Sequence, residues 1–303
     1  MARPRISVVL ATNRDSPFLP ESLQSLTDQT WSDWELVVVD NGVPDQARLH
    51  ELVGAVPRSR IVEATPWTLA RSRNVGVAAS VGDLLVFHDD DVWAPTRLER
   101  QVDALDAAPG AVASSVGGWH LDEHGRRIGA GFPARAASAE AILAGRSPTP
   151  HICGALMVRR EAHLEAGGFA PELSIMEDFE YMLRLLMLGE LACVPEELLG
   201  YRRHSENMTS TDLGNYRLRR HVMDESLERL RWSAEARGDA RTQALLAEHR
   251  DRFRSEAAVV AGGDVVRLLR RGNLRDAVGE LAWGVRAGPR RVVSGAWRRV
   301  VRR

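Results

Sequence analysis

The sequence predicts an α/β protein, a mostly parallel sheet with flanking helices, followed by a helical C-terminal region. Three observations carry that expectation. Apolar, β-branched runs alternate with leucines at helical spacing through the first third of the chain. Two of those runs end in polar clusters, Asp40-Asn41-Gly42 and His88-Asp89-Asp90-Asp91, and the carboxyl ends of parallel strands are where such sheets bind ligands. From about residue 213 the pattern turns helical throughout and rich in Arg, Glu and Ala.

Taken in order, Ile6 to Ala11 is a first strand, and Leu19, Leu23 and Leu26 follow at helical spacing with Pro20 in the first turn. Leu36 to Val39 is a second buried strand, Leu49 to Val53 suggests a helix, and Ile61-Val62 a short strand. Leu69 to Ala79 reads as a helix, Leu84 to Phe87 as a strand, and Pro95 to Leu105 as a helix. Residues 111 to 200 are less regular. They hold a strand and turn over Gly117 to Gly125, a strand over Ile152 to Val158, a turn at Gly167-Gly168-Phe169 and an apolar helix over Phe179 to Leu188. Beyond 213, Gly262-Gly263 suggests a helix break, and Leu268 to Pro289 resembles one helix-turn-helix unit of a tetratricopeptide type, which alone buries no core.

The 303 residues allow two domains, expected at 1–210 and 211–303. Hydrophobic content of 44% and charged content of 27% are ordinary for a soluble globular protein. A net charge of −1 gives no signal for nucleic acid, though acids gather in the body and arginines at the C-terminus. Cys153 and Cys193 lie far apart without a CxxC neighbour, so they are expected as buried free thiols in a reducing cytoplasm rather than as a disulfide or zinc set. The apolar run after Arg3 and Arg5 stops at Asn13-Arg14-Asp15, too short for a signal peptide. No apolar run is long enough to span a bilayer.

Asp89, Asp90 and Asp91 carry the most chemistry. Carboxylates bunched at the end of a buried strand repel one another and lose hydration. A divalent cation relieves both penalties, and hard oxygen ligands suit Mg²⁺ or Mn²⁺. A solvated acidic loop is the plain alternative.

Five segments, in one order over residues 5 to 207, resemble family 2 glycosyltransferases. They are Ser7-Val8-Val9-Leu10-Ala11-Thr12-Asn13-Arg14, Glu35 to Gly42, Ala70-Arg71-Ser72-Arg73-Asn74-Val75-Gly76, Gly82-Asp83 through Asp91, and Gly167-Gly168-Phe169 leading to Glu177-Asp178. The resemblance implies a GT-A fold, Rossmann-like, with a nucleotide-diphosphate sugar as donor and inversion at the anomeric carbon. By the same resemblance Thr12, Asn13 and Asp40 contact the base and ribose, Arg71, Arg73 and Asn74 help hold the nucleotide, and Asp89 and Asp90 face the nucleotide-sugar. Asp89, Asp91 and His204 are the implied metal set for Mn²⁺ or Mg²⁺, with Asp91 the direct ligand, and Asp178 is the implied catalytic base. His88 stands where the family often has leucine, and its role is open.

These assignments compete with plainer readings: Asp40-Asn41-Gly42 as a turn, Arg71 and Arg73 as a surface helix face, and Glu177-Asp178 as first-turn acids favoured by the helix dipole. Two other functions compete. A sugar-1-phosphate nucleotidyltransferase would carry a Gly-rich phosphate loop after the first strand, and Ala11 to Pro17 has no glycine. A degenerate transferase serving as a scaffold would not need Asp40, Asp89, Asp91 and Asp178 together. UDP is the default nucleotide, with dTDP and GDP open. The acceptor is a glycan, a lipid-linked saccharide, a natural product or a peptide side chain, with the region from Trp119 to Phe132 and the C-terminal helices expected to choose it. In the tail, Val292, Val293, Ala296, Trp297, Val300 and Val301 form an apolar arc flanked by Arg291, Arg298, Arg299, Arg302 and Arg303. That pattern suits peripheral contact with an anionic membrane at its inner face, packing on the body, or binding to an acidic partner.

Overall fold

A computed structural model describes residues 3–64, 67–146, 154–204, 207 and 213–301. By internal contacts the chain divides into two units, Met1–Ile142 with Ser147–Asp212, and Leu143–Arg146 with Leu213–Arg303. The first unit begins β1 (Ile6–Thr12), α1 (Leu19–Thr27), β2 (Trp34–Asp40), α2 (Gln46–Gly54), β3 (Ser59–Glu63), α3 (Leu69–Ala79) and β4 (Leu84–His88). It continues β5 (Val92–Trp93), α4 (Arg97–Ala107), β6 (Ala113–Leu121), β7 (Arg127–Phe132), α5 (Ala139–Leu143), β8 (Leu156–Arg159), α6 (Arg160–Glu165), α7 (Glu177–Leu186) and β9 (Leu191–Arg202).

These strands form one sheet in the order β3-β2-β1-β4-β8-β6-β9-β5, with β7 paired to β6. β1 to β4 pair in parallel, as the alternating pattern predicts. Beyond β4 the sheet is mixed: β8 is antiparallel to both β4 and β6, and β9 is parallel to β6 but antiparallel to β5. After residue 111 the strands joined through helices, β7 to β8 and β8 to β9, are not neighbours in the sheet, so the helical connections impose no parallel pairing.

Both faces of the parallel half are covered, which is why its strands read as continuous apolar runs. Ile6, Val8 and Leu10 share one apolar cluster with Leu19, Leu23 and Leu26 of α1 and Leu98, Val102 and Leu105 of α4. Val9 and Val39 face the other way, against α3. There a Cβ on Gly76 would lie 2.3 Å from Val9 Cγ1 and 3.0 Å from Val39 Cγ2. Gly76→Val is therefore expected to lower stability by about 1–3 kcal/mol. The reading is a reduced urea midpoint at unchanged slope; an unchanged midpoint would show that α3 can retreat from the sheet without cost.

The second unit holds α8 (Leu213–Ala236), α9 (Ala240–Arg270), α10 (Leu274–Ala287) and α11 (Pro289–Val301). α9 runs unbroken through Gly262-Gly263, against the expected break. Close approach, not chain reversal, requires glycine here. A Cβ on Gly262 would sit 1.9 Å from Val292 O, and one on Gly295 1.8 Å from Val259 O. The chain does reverse at 271–273, where Asn273 caps α10 by accepting from Asp276 N. Inside the unit, buried Glu280 accepts from Arg217 Nε at 2.6 Å and from Arg220 at 2.7 and 2.8 Å. Cys193 is exposed on β9, contrary to the buried thiol expected, and Cys153 lies outside the described residues. No described helix is long and apolar enough to cross a membrane.

Candidate active site

Parallel register brings the ends of β1, β2 and β4 to one edge, with Thr12 opposite Asp40 and Leu10 opposite His88. Asp40 is buried there. Its Oδ1 accepts from the N–H groups of Gly42 (3.0 Å) and Val43 (2.8 Å), and its Oδ2 from Gln46 Nε2 (2.5 Å). Asp40 thus makes the turn that its sequence suggests, and a nucleoside would have to share those oxygens. Thr12 Oγ1 donates to Arg14 O at 3.1 Å, and Asn13 is exposed beside it. Asn41, unassigned from sequence, clamps the backbone of Trp67: its Nδ2 donates to Trp67 O (2.9 Å) and its Oδ1 accepts from Trp67 N (2.8 Å). Arg71 is exposed and lies over the Trp67 ring, 3.8 Å from its centroid. Planar guanidinium on indole keeps the charge available at this edge.

The acidic run fans out in three directions. Asp89 Oδ2 accepts from Arg73 Nη2 at 3.1 Å. Asp90 Oδ2 is met by Arg14 Nη2 at 3.0 Å and by His204 Nε2 at 2.9 Å. Asp91 is buried, and its Oδ1 accepts from Arg202 N at 2.9 Å. Burial, reinforced by Asp89 and Asp90, pushes the Asp91 carboxyl up to about 8. The expected trio of Asp89, Asp91 and His204 therefore does not converge: Asp89 turns to Arg73, and His204 to Asp90. Among the described residues no three His, Cys, Asp or Glu side chains are placed to hold an ion. Asp91 by itself does fit a divalent cation, since added positive charge would relieve its burial and its acidic neighbours at once.

Arg73 is the element that sequence reading undervalued. It is 4% exposed, and while Nη2 holds Asp89, its Nη1 donates to Glu177 Oε1 at 3.0 Å. One guanidinium thus ties the end of β4 to the start of α7. Glu177 and Asp178 occupy the first turn of α7, where the helix dipole favours anions. Burial raises both carboxyls against the opposing pull of Arg73. Asp178 is half-buried and accepts from Phe179 N at 2.7 Å. Met176, just before them, has φ of 60° and ψ of 13°, a left-handed conformation that an unbranched non-glycine residue adopts at a cost.

Asn74 has a different partner from the nucleotide expected of it. Its Nδ2 donates to Phe169 O (2.8 Å) and its Oδ1 accepts from Phe169 N (2.9 Å), so its amide holds the Gly-Gly-Phe turn. Gly168 (φ 68°) permits this approach, because a Cβ there would lie 2.8 Å from Asn74 Oδ1. Phe169 is fully buried and packs edge-on to Phe87 at 4.9 Å.

The histidines nearby are internal. His88 is 1% exposed, with Nε2 2.8 Å from Ser22 Oγ, and burial pushes it down to about 4. Its ring also lies 4.2 Å from that of Trp93. His163 is buried with Nδ1 2.6 Å from Tyr181 Oη, and burial, aided by Arg160 and Arg184, lowers it from 6.5 to about 4. Between those two values the unfolded chain binds the extra proton, so stability falls as pH drops through that window. His163→Gln is expected to remove on the order of 2 kcal/mol of the acid-side loss between about pH 7 and 4.5. A melting temperature that declines with pH as steeply in the variant would refute this.

Arg202 was also unassigned. It is 1% exposed; besides its N–H to Asp91, its Nε donates to Asp90 O (3.1 Å) and its Nη2 pairs with Glu21 at 2.6 Å. Arg97, wholly buried behind Asp91, stacks on Trp93 at 4.0 Å and donates to Gly154 O and to Gln101 Oε1. Arg202 carries no local sequence signal, because Asp90 and Glu21 are distant in the chain, whereas Arg97 has Trp93 and Gln101 each four positions away.

Comparison with known proteins agrees with this architecture. The family model for glycosyl transferase family 2 matches residues 7–167. An uncharacterized glycosyltransferase of Haemophilus influenzae is 26% identical over 191 residues, 60% of this chain and 62% of that protein, so the chain spans less than two thirds of it. The amylovoran biosynthesis glycosyltransferase AmsE of Erwinia amylovora is 25% identical over 210 residues, 67% of this chain and 78% of that protein. The crystal structure of S. aureus TarS 1-349 in complex with UDP-GlcNAc superposes with a TM-score of 0.68 at 19% identity, covering 95% of this chain and 82% of that one. The sheet is of the GT-A type seen in that structure, and the chain is a member of glycosyl transferase family 2.

Proposed function

We propose that the protein transfers a sugar, with inversion, from a nucleoside-diphosphate sugar to an acceptor hydroxyl. The observation that carries this reading is Arg73, which joins Asp89 at the end of β4 to Glu177 beside Asp178. Acids suited to a donor diphosphate site and a raised carboxyl suited to proton removal thereby share one cluster. UDP is the nucleotide we favour, since TarS has been crystallised with UDP-GlcNAc and with UDP. A growing polysaccharide is the acceptor class we favour, since AmsE is named for amylovoran biosynthesis.

In the proposed reaction the acceptor oxygen attacks the anomeric carbon while Asp178 takes its proton. The bond from that carbon to the diphosphate oxygen breaks, and the nucleoside diphosphate leaves. Arg71, on Trp67, is placed to meet the donor's base or phosphates, and Thr12, Asn13 and Asp40 its nucleoside. Asp91, with Asp89 beside it, would hold Mg²⁺ or Mn²⁺, and His204 would steady Asp90. Such an ion would neutralise charge on the leaving diphosphate.

The test is thermal stability against UDP, dTDP, GDP and CDP, each with and without Mn²⁺. A ligand selective for the native state adds about 2.7 kcal/mol at a hundredfold excess over its Kd. A Mn²⁺-dependent rise with one nucleotide is expected. No rise with any of them, in folded protein, would overturn the donor-site assignment and favour a scaffold.

A further inference from the structure

We propose that α11 docks the protein on an anionic lipid bilayer. The helix reads Pro-Arg-Arg-Val-Val-Ser-Gly-Ala-Trp-Arg-Arg-Val-Val and contains no acidic residue. Its apolar arc, continuous in the sequence, is divided by the fold. Val292 is 2% exposed and lies against α10, where a Cβ on Gly284 would meet its Cγ2 at 2.5 Å. Val293, Trp297 and Val300, by contrast, are 67%, 68% and 49% exposed. They follow at spacings of four and three residues, so they form one ridge along the helix.

This ridge is a fixed feature. Gly262 and Gly295 bring the backbones of α9 and α11 into contact, and any roll of α11 about its axis would drive a side chain into the opposing main chain. The three side chains cannot turn inward without separating the helices. Arg290, Arg291, Arg298 and Arg299 are all exposed, and none has an acidic partner among the described residues.

An exposed ridge of two valines and a tryptophan, flanked by unpaired guanidinium groups, is complementary to the surface of an anionic membrane. Trp and Val enter the boundary between headgroup and acyl chain, and arginines meet lipid phosphates. A second copy of the chain is the other occupant such a ridge invites. Four like charges on each copy would then oppose one another across a two-fold interface, with no acid on the helix to offset them. The charge pattern therefore favours lipid.

The experiment is flotation of the full chain with vesicles of phosphatidylglycerol and phosphatidylcholine in about equal parts, against phosphatidylcholine alone. Wild type is expected to float with the anionic vesicles, and to be released at about 1 M salt. Trp297→Ser, and separately the double variant Arg298→Glu/Arg299→Glu, are expected to partition about tenfold more weakly. Both change exposed side chains, and unaltered far-UV circular dichroism would establish that they fold. No flotation, equal flotation with both vesicles, or undiminished flotation of the variants would overturn the proposal. So would a dimer, seen by light scattering, that Trp297→Ser dissolves in a protein that ignores vesicles. No sugar donor enters the assay, so its failure leaves the transferase reading intact.

Discussion

Asp178→Asn is expected to lower turnover by about 10³-fold while leaving nucleotide-induced stabilisation in place. Asparagine keeps the size of the side chain and an oxygen to accept from Phe179 N, but it cannot take a proton. The wild-type carboxyl is raised by burial, more than Arg73 pulls it down, and Asp89 adds to the rise. A raised carboxyl is the stronger base, which suits removal of a proton from a hydroxyl made acidic by its own attack. Glu177 is the alternative base, yet its Oε1 is occupied by Arg73. Glu177→Gln should therefore disturb the acidic cluster and raise the donor KM together with any fall in kcat. Initial rates alongside thermal shifts separate the two residues. A rate within about tenfold of wild type in Asp178→Asn would move the base to Glu177.

Asp91→Asn should raise the melting temperature of the ligand-free protein and abolish its Mn²⁺-dependent response to nucleotide. The carboxyl is buried beside Asp89 and Asp90, whose repulsion outweighs the attraction of Arg97. At pH 7 this carboxyl is largely protonated in the ligand-free fold but ionised in the unfolded chain, so replacing it with an amide is expected to stabilise the fold by on the order of 2 kcal/mol, a few degrees in melting temperature. The Asn oxygen would still accept from Arg202 N, so the backbone contact survives. A residue retained only for structure would show the opposite sign. A lower melting temperature in the variant would therefore sink the reading of Asp91 as a strained functional ligand.

What the sequence disclosed follows from how far each signal reaches along the chain. β1 to β4 and the acids at their ends were legible because strand and helix periods are local. Glu177-Asp178 was legible through the Gly-Gly-Phe turn before it. Arg73 was visible as a residue but not as a strut, since Glu177 lies 104 positions away. Asn74 was assigned to the nucleotide because nothing local reveals that both sides of its amide meet Phe169, 95 positions on. Gly262-Gly263 misled for the same reason: glycine marks reversal and close approach alike, and only the position of α11 separates them. The mixed half of the sheet was hidden too, because β8 and β9 take their direction from partners and not from their own patterns.

The contact between Arg202 and Asp91 has a consequence for biogenesis. It spans 111 positions, and β5 is held in the sheet by β9. During synthesis the parallel half can form from neighbouring segments as they leave the ribosome. At that stage the acidic run is complete, yet β9 and Arg202 are still unmade. The nascent chain then presents β4 as an open edge, a template for pairing with other chains. Arrival of β8 closes that edge, and the later arrival of β9 clasps Asp91. Affinity for donor should accordingly be absent from ribosome-stalled chains that end before residue 202, and appear abruptly in longer ones.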